Sequence, residues 1–170
     1  MSNAWFEVYR SGQGVMAIMP YPRLDAGHAN SIDTIAAAGY SLIVSLLANE
    51  EAESLGLLAE EQVAIDQGLE FRSCPIPDFG VPHRDDNYVS LIRLLCQRLN
   101  QGDRILLHCR GGVGRSGMTA AAVRVACGES PEQACSAVSE ARGRLVPETE
   151  SQNNWLLCAY ENRILVFDPD

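Results

Sequence analysis

The sequence predicts an α/β fold, a single domain built on a mostly parallel sheet of four to five strands with helices on both faces. Three observations predict it. Short apolar runs bounded by turn residues alternate with helical patterns through the first two thirds of the chain. The last third carries three helical patterns in succession. The length of 170 residues, with 46% hydrophobic and 21% charged content, matches one globular domain. Strands that alternate with helices make parallel pairs joined by crossovers, which cover both faces of the sheet.

The four runs that read as strands are Val15 to Met19, Leu42 to Leu47, Leu69 to Cys74 and Arg104 to His108, with Trp5 to Tyr9 a weaker fifth. Helical patterns lie at about Ser31 to Ala38 and, less regularly, Glu50 to Gln67. Tyr88, Leu91, Ile92, Leu95 and Leu99 recur at helical spacing, which predicts an amphipathic helix over Asn87 to Asn100 with Asp86 as its cap. Ser116 to Ala126 is an apolar helical segment. Ser130 followed by Pro131 and Gln133 is a capping-box start for a helix running to about Arg142, and Thr149 with Gln152 repeats the pattern. A last strand is expected at Ile164 to Phe167.

Composition narrows the function. With 22 acidic and 13 basic residues the net charge is -9, which disfavours nucleic acid and anionic membranes as partners. Every basic residue is arginine. A Walker-type phosphate loop, a Schiff base and a lysine general base all need an ammonium group that this chain lacks. The cysteines at 74, 96, 109, 127, 135 and 158 show no Cys-x-x-Cys spacing and read mostly as buried thiols. No basic region followed by an apolar run opens the chain, so the cytoplasm is the expected compartment. No His and carboxylate cluster stands at metal-ligand spacing, and neither a metal nor another cofactor is expected.

The chemistry concentrates where the run Arg104 to His108 ends. There the sequence His108-Cys109-Arg110-Gly111-Gly112-Val113-Gly114-Arg115-Ser116 passes from strand through a tight loop into a helix. Gly111, Gly112 and Gly114 permit backbone conformations that turn successive N–H groups inward, and the helix adds its positive end. The product is an anion cradle, with Arg110 and Val113 completing its backbone. Such surroundings favour the thiolate of a cysteine at the centre, here Cys109. Arg115 offers a planar fork for two phosphoryl oxygens, which lysine could not replace. Ser116 can donate a hydrogen bond to the sulfur, and His108 is expected to orient the loop rather than to handle protons.

His108-Cys109-x-x-Gly112-x-x-Arg115-Ser116 resembles the signature of protein tyrosine and dual-specificity phosphatases, with every fixed position present. Five fixed positions coincide by chance in a chain of this length on the order of once in ten thousand or fewer. The loop wording and the upstream stretch Pro75-Ile76-Pro77-Asp78-Phe79-Gly80-Val81-Pro82 resemble the kinase-associated phosphatase group more closely still, over roughly Leu42 to Arg163. The resemblance implies a cysteine phosphatase fold and a phosphocysteine intermediate at Cys109.

Expelling an alkoxide or phenoxide requires a proton, so a carboxylic acid should stand over the loop. Asp78 is the best candidate, because it lies in a Pro- and Gly-containing segment suited to a flap, where the family places its general acid. Asp85 and Asp86 are rivals, although Asp86 is better explained as a helix cap. Gln152 is read two ways. Its position resembles the family's glutamine region, which would hold the hydrolytic water, and it equally completes the capping box with Thr149. His83 and Arg84 beside the flap are candidates for substrate contact. Cys74 is a candidate disulfide partner for Cys109 if their strands are neighbours, with a buried cysteine the better reading.

The variable loop positions carry one charge, Arg110, whereas the superfamily's lipid phosphatases carry extra basic residues there. The expected substrate is therefore a phosphoprotein, with phosphotyrosine accepted, and the kinase-associated resemblance implies a kinase as partner. The competing readings are a catalytically silent phosphate-binding module and a phosphatase of a small phosphorylated metabolite or inositol phosphate. A sulfur-carrying cysteine loop is disfavoured, because it does not require Arg115 six residues after the cysteine, and the low-molecular-weight phosphatases with their arsenate-reducing relatives carry the loop near the N-terminus, unlike Cys109.

Overall fold

A computed structural model of the chain describes residues 4–83 and 86–167. Arg84 and Asp85, named above as a substrate contact and a rival acid, lie outside these described residues. Five strands form one sheet, namely β1 (Phe6–Ser11), β2 (Gly14–Pro20), β3 (Leu42–Ser45), β4 (Glu70–Ser73) and β5 (Arg104–Cys109). Their spatial order is β1-β2-β5-β3-β4. β1 and β2 are an antiparallel hairpin closed at Gly12, whose φ of 56° suits the tight turn, and every other pairing is parallel.

The two-residue period of the strands divides the core. Met16 and Ile18 of β2, with Ile105 and Leu107 of β5, face one hydrophobic cluster, whereas Ala17, Met19 and Leu106 face the other. The first cluster is covered by four helices, α4 (Asp86–Asn100), α5 (Gly114–Ala126), α6 (Pro131–Arg142) and α7 (Glu150–Glu161). Helices α1 (Ile32–Ala37) and α3 (Glu60–Asp66) pack on the other face, and α2 (Asn49–Ser54) follows β3. Tyr88, Leu91, Ile92, Leu95 and Leu99 are all buried on the inner side of α4, as their spacing predicts. Helix α5 differs from the rest. Nearly all of its side chains are buried, because its run of Gly, Ala, Ser and Thr lets it sink between the sheet and the outer helices.

Three expectations change. The irregular pattern from Glu50 to Gln67 is two helices, α2 and α3, separated at Gly56, whose φ is 73°. Ile164 to Phe167 is not a strand. Arg163 adopts φ 57° after α7, and the N–H groups of Arg163 and Ile164 return to Tyr160 and Ala159 at 3.0 and 2.9 Å, a Schellman-type stop that drives Leu165 into the core. The apolar residues there close a helix rather than extend a sheet. Finally, β4 and β5 are not neighbours, since β3 lies between them. Cys74, just past β4, is therefore separated laterally from Cys109 by two strand spacings, roughly 10 Å, too far for the disulfide considered above.

No helix among the described residues is long and apolar enough to cross a membrane. β5 is the central strand, with β2 on one side and β3 on the other, and the sheet grows toward opposite edges from these two neighbours. The crevice outside the carboxyl ends of β2, β5 and β3 is where such a sheet binds ligands.

Candidate active site

The loop from Cys109 to Arg115 occupies that crevice. Gly112 has φ 64°, and a Cβ there would lie 2.4 Å from the carbonyl carbon of Met19 at the end of β2, so only glycine lets the loop close against the sheet. Arg142 fastens its outer side. Nε donates to the Gly112 carbonyl at 2.7 Å and Nη2 to that of Gly111 at 3.3 Å, while the guanidinium stacks 4.1 Å from the centre of the Phe6 ring. These contacts tie the outer carbonyls of the loop to α6.

Cys109 is buried at the base of the loop, with Sγ 3.3 Å from the Ser116 hydroxyl. Arg115, only 2% exposed, is the largest of the fully buried side chains. Its Nη1 and Nη2 donate to the Glu51 carboxylate at 2.6 and 3.0 Å, Nη1 also to the Ile76 carbonyl at 3.0 Å, and Nη2 to Asp78 Oδ1 at 2.9 Å. Burial alone would weaken the Arg115 charge. The Glu51 hydrogen bonds and the nearby Cys109, Glu51 and Asp78 charges overcome it and hold the guanidinium more firmly protonated than usual. Glu51 responds in kind, its carboxyl held below the ordinary value first by the Arg115 hydrogen bonds and then by the Ala48 N–H.

Asp78 stands in a tight turn in which the Gly80 N–H donates to the Pro77 carbonyl at 2.8 Å. Phe79 holds the φ > 0 position at 56°, unusual for an aromatic residue, and its N–H donates to Asp78 Oδ1 at 3.1 Å. Gln152 clamps the far end of this turn. Its Nε2 donates to the Gly80 carbonyl at 3.1 Å, its Oε1 accepts from the N–H groups of Glu148 and Thr149, and the side chain is fully buried. The capping-box reading of Gln152 is thus realised, and most of its hydrogen-bonding capacity is already used. Of the remaining candidates, His83 is exposed and Asp86 opens α4.

Beneath the loop, His108 Nε2 lies 2.7 Å from Glu60 Oε1, both side chains buried. Glu60 comes from α3 and ties the penultimate residue of β5 to the helix on the opposite face. Sequence reading brings Cys109, Arg115, Ser116, Asp78, His108 and Gln152 to one place, as the structure does, but it misses Glu51, Glu60 and Arg142. Each of these acts across the fold, and no local pattern marks it. Among the described residues no group of three or more His, Cys, Asp and Glu side chains is arranged to hold a metal ion.

The family described as "Tc-R-P: Polymorphic toxin system, DSP-PTPase phosphatase" matches residues 17–129. The chain belongs to this phosphatase family. It is similar to cyclin-dependent kinase inhibitor 3 of Rattus norvegicus, with 33% identity over 84 residues, 48% of this chain and 39% of that one. It spans well under half the length of the curated relatives it matches. Among solved structures, kinase associated phosphatase, with its catalytic cysteine changed to serine, superposes with a TM-score of 0.77 over 97% of this chain and 96% of that one, at 20% identity. Tk-PTP in its active form gives 0.73 at 27% identity over 96% and 99%. PTPMT1 in complex with PI(5)P shares the fold, with a TM-score of 0.77 at 16% identity over 95% and 96%.

Proposed function

We propose that this DSP-PTPase phosphatase acts as a single domain that hydrolyses phosphomonoesters of proteins through a phosphocysteine at Cys109. One observation carries the reading. Arg115, buried beside Cys109 and Ser116, is bonded at once to Glu51 and Asp78, so nucleophile, phosphate clamp and acid converge on one loop.

In the first step the Cys109 sulfur attacks phosphorus, the bond to the ester oxygen breaks, and Asp78 gives its proton to that oxygen. Substrate displaces Asp78 from Nη2 of Arg115, while Glu51 keeps its two hydrogen bonds and hence the orientation of the fork. The loop N–H groups, including those of Arg110, Gly111, Gly112, Val113 and Gly114, and Arg115 stabilise the equatorial oxygens. In the second step water attacks phosphorus, Asp78 takes its proton, the phosphorus–sulfur bond breaks, and Ser116 donates to the departing sulfur. Gln152 serves here chiefly by fixing the Gly80 end of the acid's turn, and its one uncommitted Nε2 hydrogen is what it has left to offer that water. His108, held by Glu60, keeps the strand end and the loop in register.

A phosphoprotein substrate is favoured by the single charge, Arg110, at the variable loop positions, and by the names of the kinase-associated relatives, which also suggest a kinase as partner. Reduced thiols suit the cytoplasm. Hydrolysis of aryl and alkyl phosphates, phosphopeptides and inositol phosphates by wild type, Cys109→Ser and Asp78→Asn tests the scheme. Cys109→Ser should abolish turnover. Asp78→Asn should lose a factor on the order of 10² to 10⁴ on alkyl phosphates and much less on activated aryl phosphates, which leave without a proton. Equal losses on both would remove Asp78 from the acid role, a fully active serine variant would end the mechanism, and preference for inositol phosphates would redirect the substrate.

A further inference from the structure

At the opposite end of α5 from the loop, Cys127 follows the last helical residue. Its Sγ lies 2.9 Å from that of Cys96 on α4. We infer that Cys127 and Cys96 form a peroxide-reactive dithiol, in which Cys127 is oxidised first and Cys96 resolves it to a disulfide joining α4 to the end of α5.

Geometry carries this. The two sulfurs are already within contact, both residues are only partly buried, and both line an open cavity of ≈ 970 Å³ together with Tyr9, Arg93 and Phe167. A small hydroperoxide can therefore reach them. The rise of α5 over its 13 residues places this pair about 20 Å from the phosphate loop, outside the site described above.

The electrostatics agree with the order of events. A hydrogen bond from Cys96 pulls the Cys127 thiol down to about 7 against the opposing effect of burial, and a hydrogen bond from Tyr9 adds to it. Cys96, as donor, is pushed up. Burial first, and then Cys127, push the Tyr9 phenol up to about 12, so it stays protonated and able to donate. The other charges acting on Cys127 are Arg124 and Glu129, which are bonded to each other through two contacts of 2.8 Å and largely offset. Arg93, across the cavity, stacks on Phe167 at 4.7 Å.

The chemistry balances. The Cys127 thiolate attacks one peroxide oxygen, the O–O bond breaks, and the other oxygen leaves and is protonated to water or an alcohol, giving Cys127 sulfenic acid. The Cys96 sulfur attacks that sulfur, the S–O bond breaks, and hydroxide leaves with the Cys96 proton as water. Two thiols lose two electrons and one peroxide gains them.

The test treats the full chain in a Cys109→Ser background, which removes competition from the loop thiol, with stoichiometric hydrogen peroxide. Unreacted thiols are then alkylated and the protein digested after arginine. Residues 94–98 and 125–142 should appear as one disulfide-joined pair, reversible by dithiothreitol, with fragmentation placing the bond on Cys127 rather than on Cys135. In the Cys96→Ser variant Cys127 should instead be trapped by dimedone as the sulfenic acid. The proposal fails if Cys96 and Cys127 stay fully alkylatable while other cysteines oxidise, or if the bridge forms through Cys135 or Cys158. The digest of the Cys109→Ser protein with Cys96 intact decides even where the Cys96→Ser variant folds poorly.

Discussion

A cysteine lies beyond each end of helix α5, Cys109 across the loop before it and Cys127 just after it, and the two show how surroundings set what a thiol can do. At the N-terminal end a buried arginine, Arg115, and the Ser116 hydroxyl stand beside Cys109. At the C-terminal end the helix presents carbonyls, which disfavour a thiolate, and Cys127 is brought to about 7 by the hydrogens of Cys96 and Tyr9 instead. One end is built around a guanidinium. The other is built from two neighbouring side chains.

The contrast breaks first at Arg115. Arg115→Lys keeps a positive charge but loses the fork, and turnover of an aryl phosphate should fall by a factor on the order of 10² to 10³, with peroxide reactivity at Cys127 unchanged. If turnover survives, the loop end does not depend on planar bidentate recognition.

Glu51→Gln keeps the shape beside Arg115 and removes the charge. Misorientation of the fork should cost turnover on the order of tenfold to a hundredfold, read in kcat more than in KM. Its pH signature has a definite sign. Pairing with Arg115 lowers the Glu51 carboxyl in the folded state, so its stabilisation is present above the ordinary glutamate value of about 4.3 and is lost as pH falls through the lowered value. The wild type should therefore melt above Glu51→Gln at pH 7, with the gap closing below about pH 4. A gap independent of pH would mean that Glu51 acts by packing alone.

The smallest effect belongs to the far end. Tyr9→Phe removes one hydrogen bond to Cys127, and iodoacetamide should label that thiol about twofold to fivefold more slowly at pH 7, with phosphatase turnover unaffected. Unchanged labelling would assign the low value of Cys127 to Cys96 alone.

The loop was legible because its chemistry is contiguous. Cys109, the glycines, Arg115 and Ser116 lie in one stretch whose spacing is the geometry. Asp78 was legible through its Pro- and Gly-containing segment together with the family resemblance, and Gln152 through that resemblance, its capping box being the other reading. Glu51, Glu60 and Arg142 were not, since each reaches the loop from an element distant in sequence, and glutamates and an arginine in helical patterns look like solvated positions. The same limit explains the misread end of the chain. Ile164 to Phe167 has a strand's composition, but whether such a run pairs or caps depends on whether a strand edge is available to it, and here the preceding helix claims the Ile164 N–H and the turn at Arg163 that of Val166. Period also did less for α5 than for α4, because a helix buried on nearly every side has no polar face to set the register.

That burial has a consequence for measurement. The amides of α5 lie far from solvent, behind the sheet on one side and α4, α6 and α7 on the others, so deuterium can reach them only when those layers separate. Their exchange rates should therefore report opening of the whole molecule, while the amides of the Asp78 turn exchange through local fluctuation. A phosphate analogue in the loop should slow both, and the slowing seen in α5 would give its binding free energy directly, without any enzymatic assay.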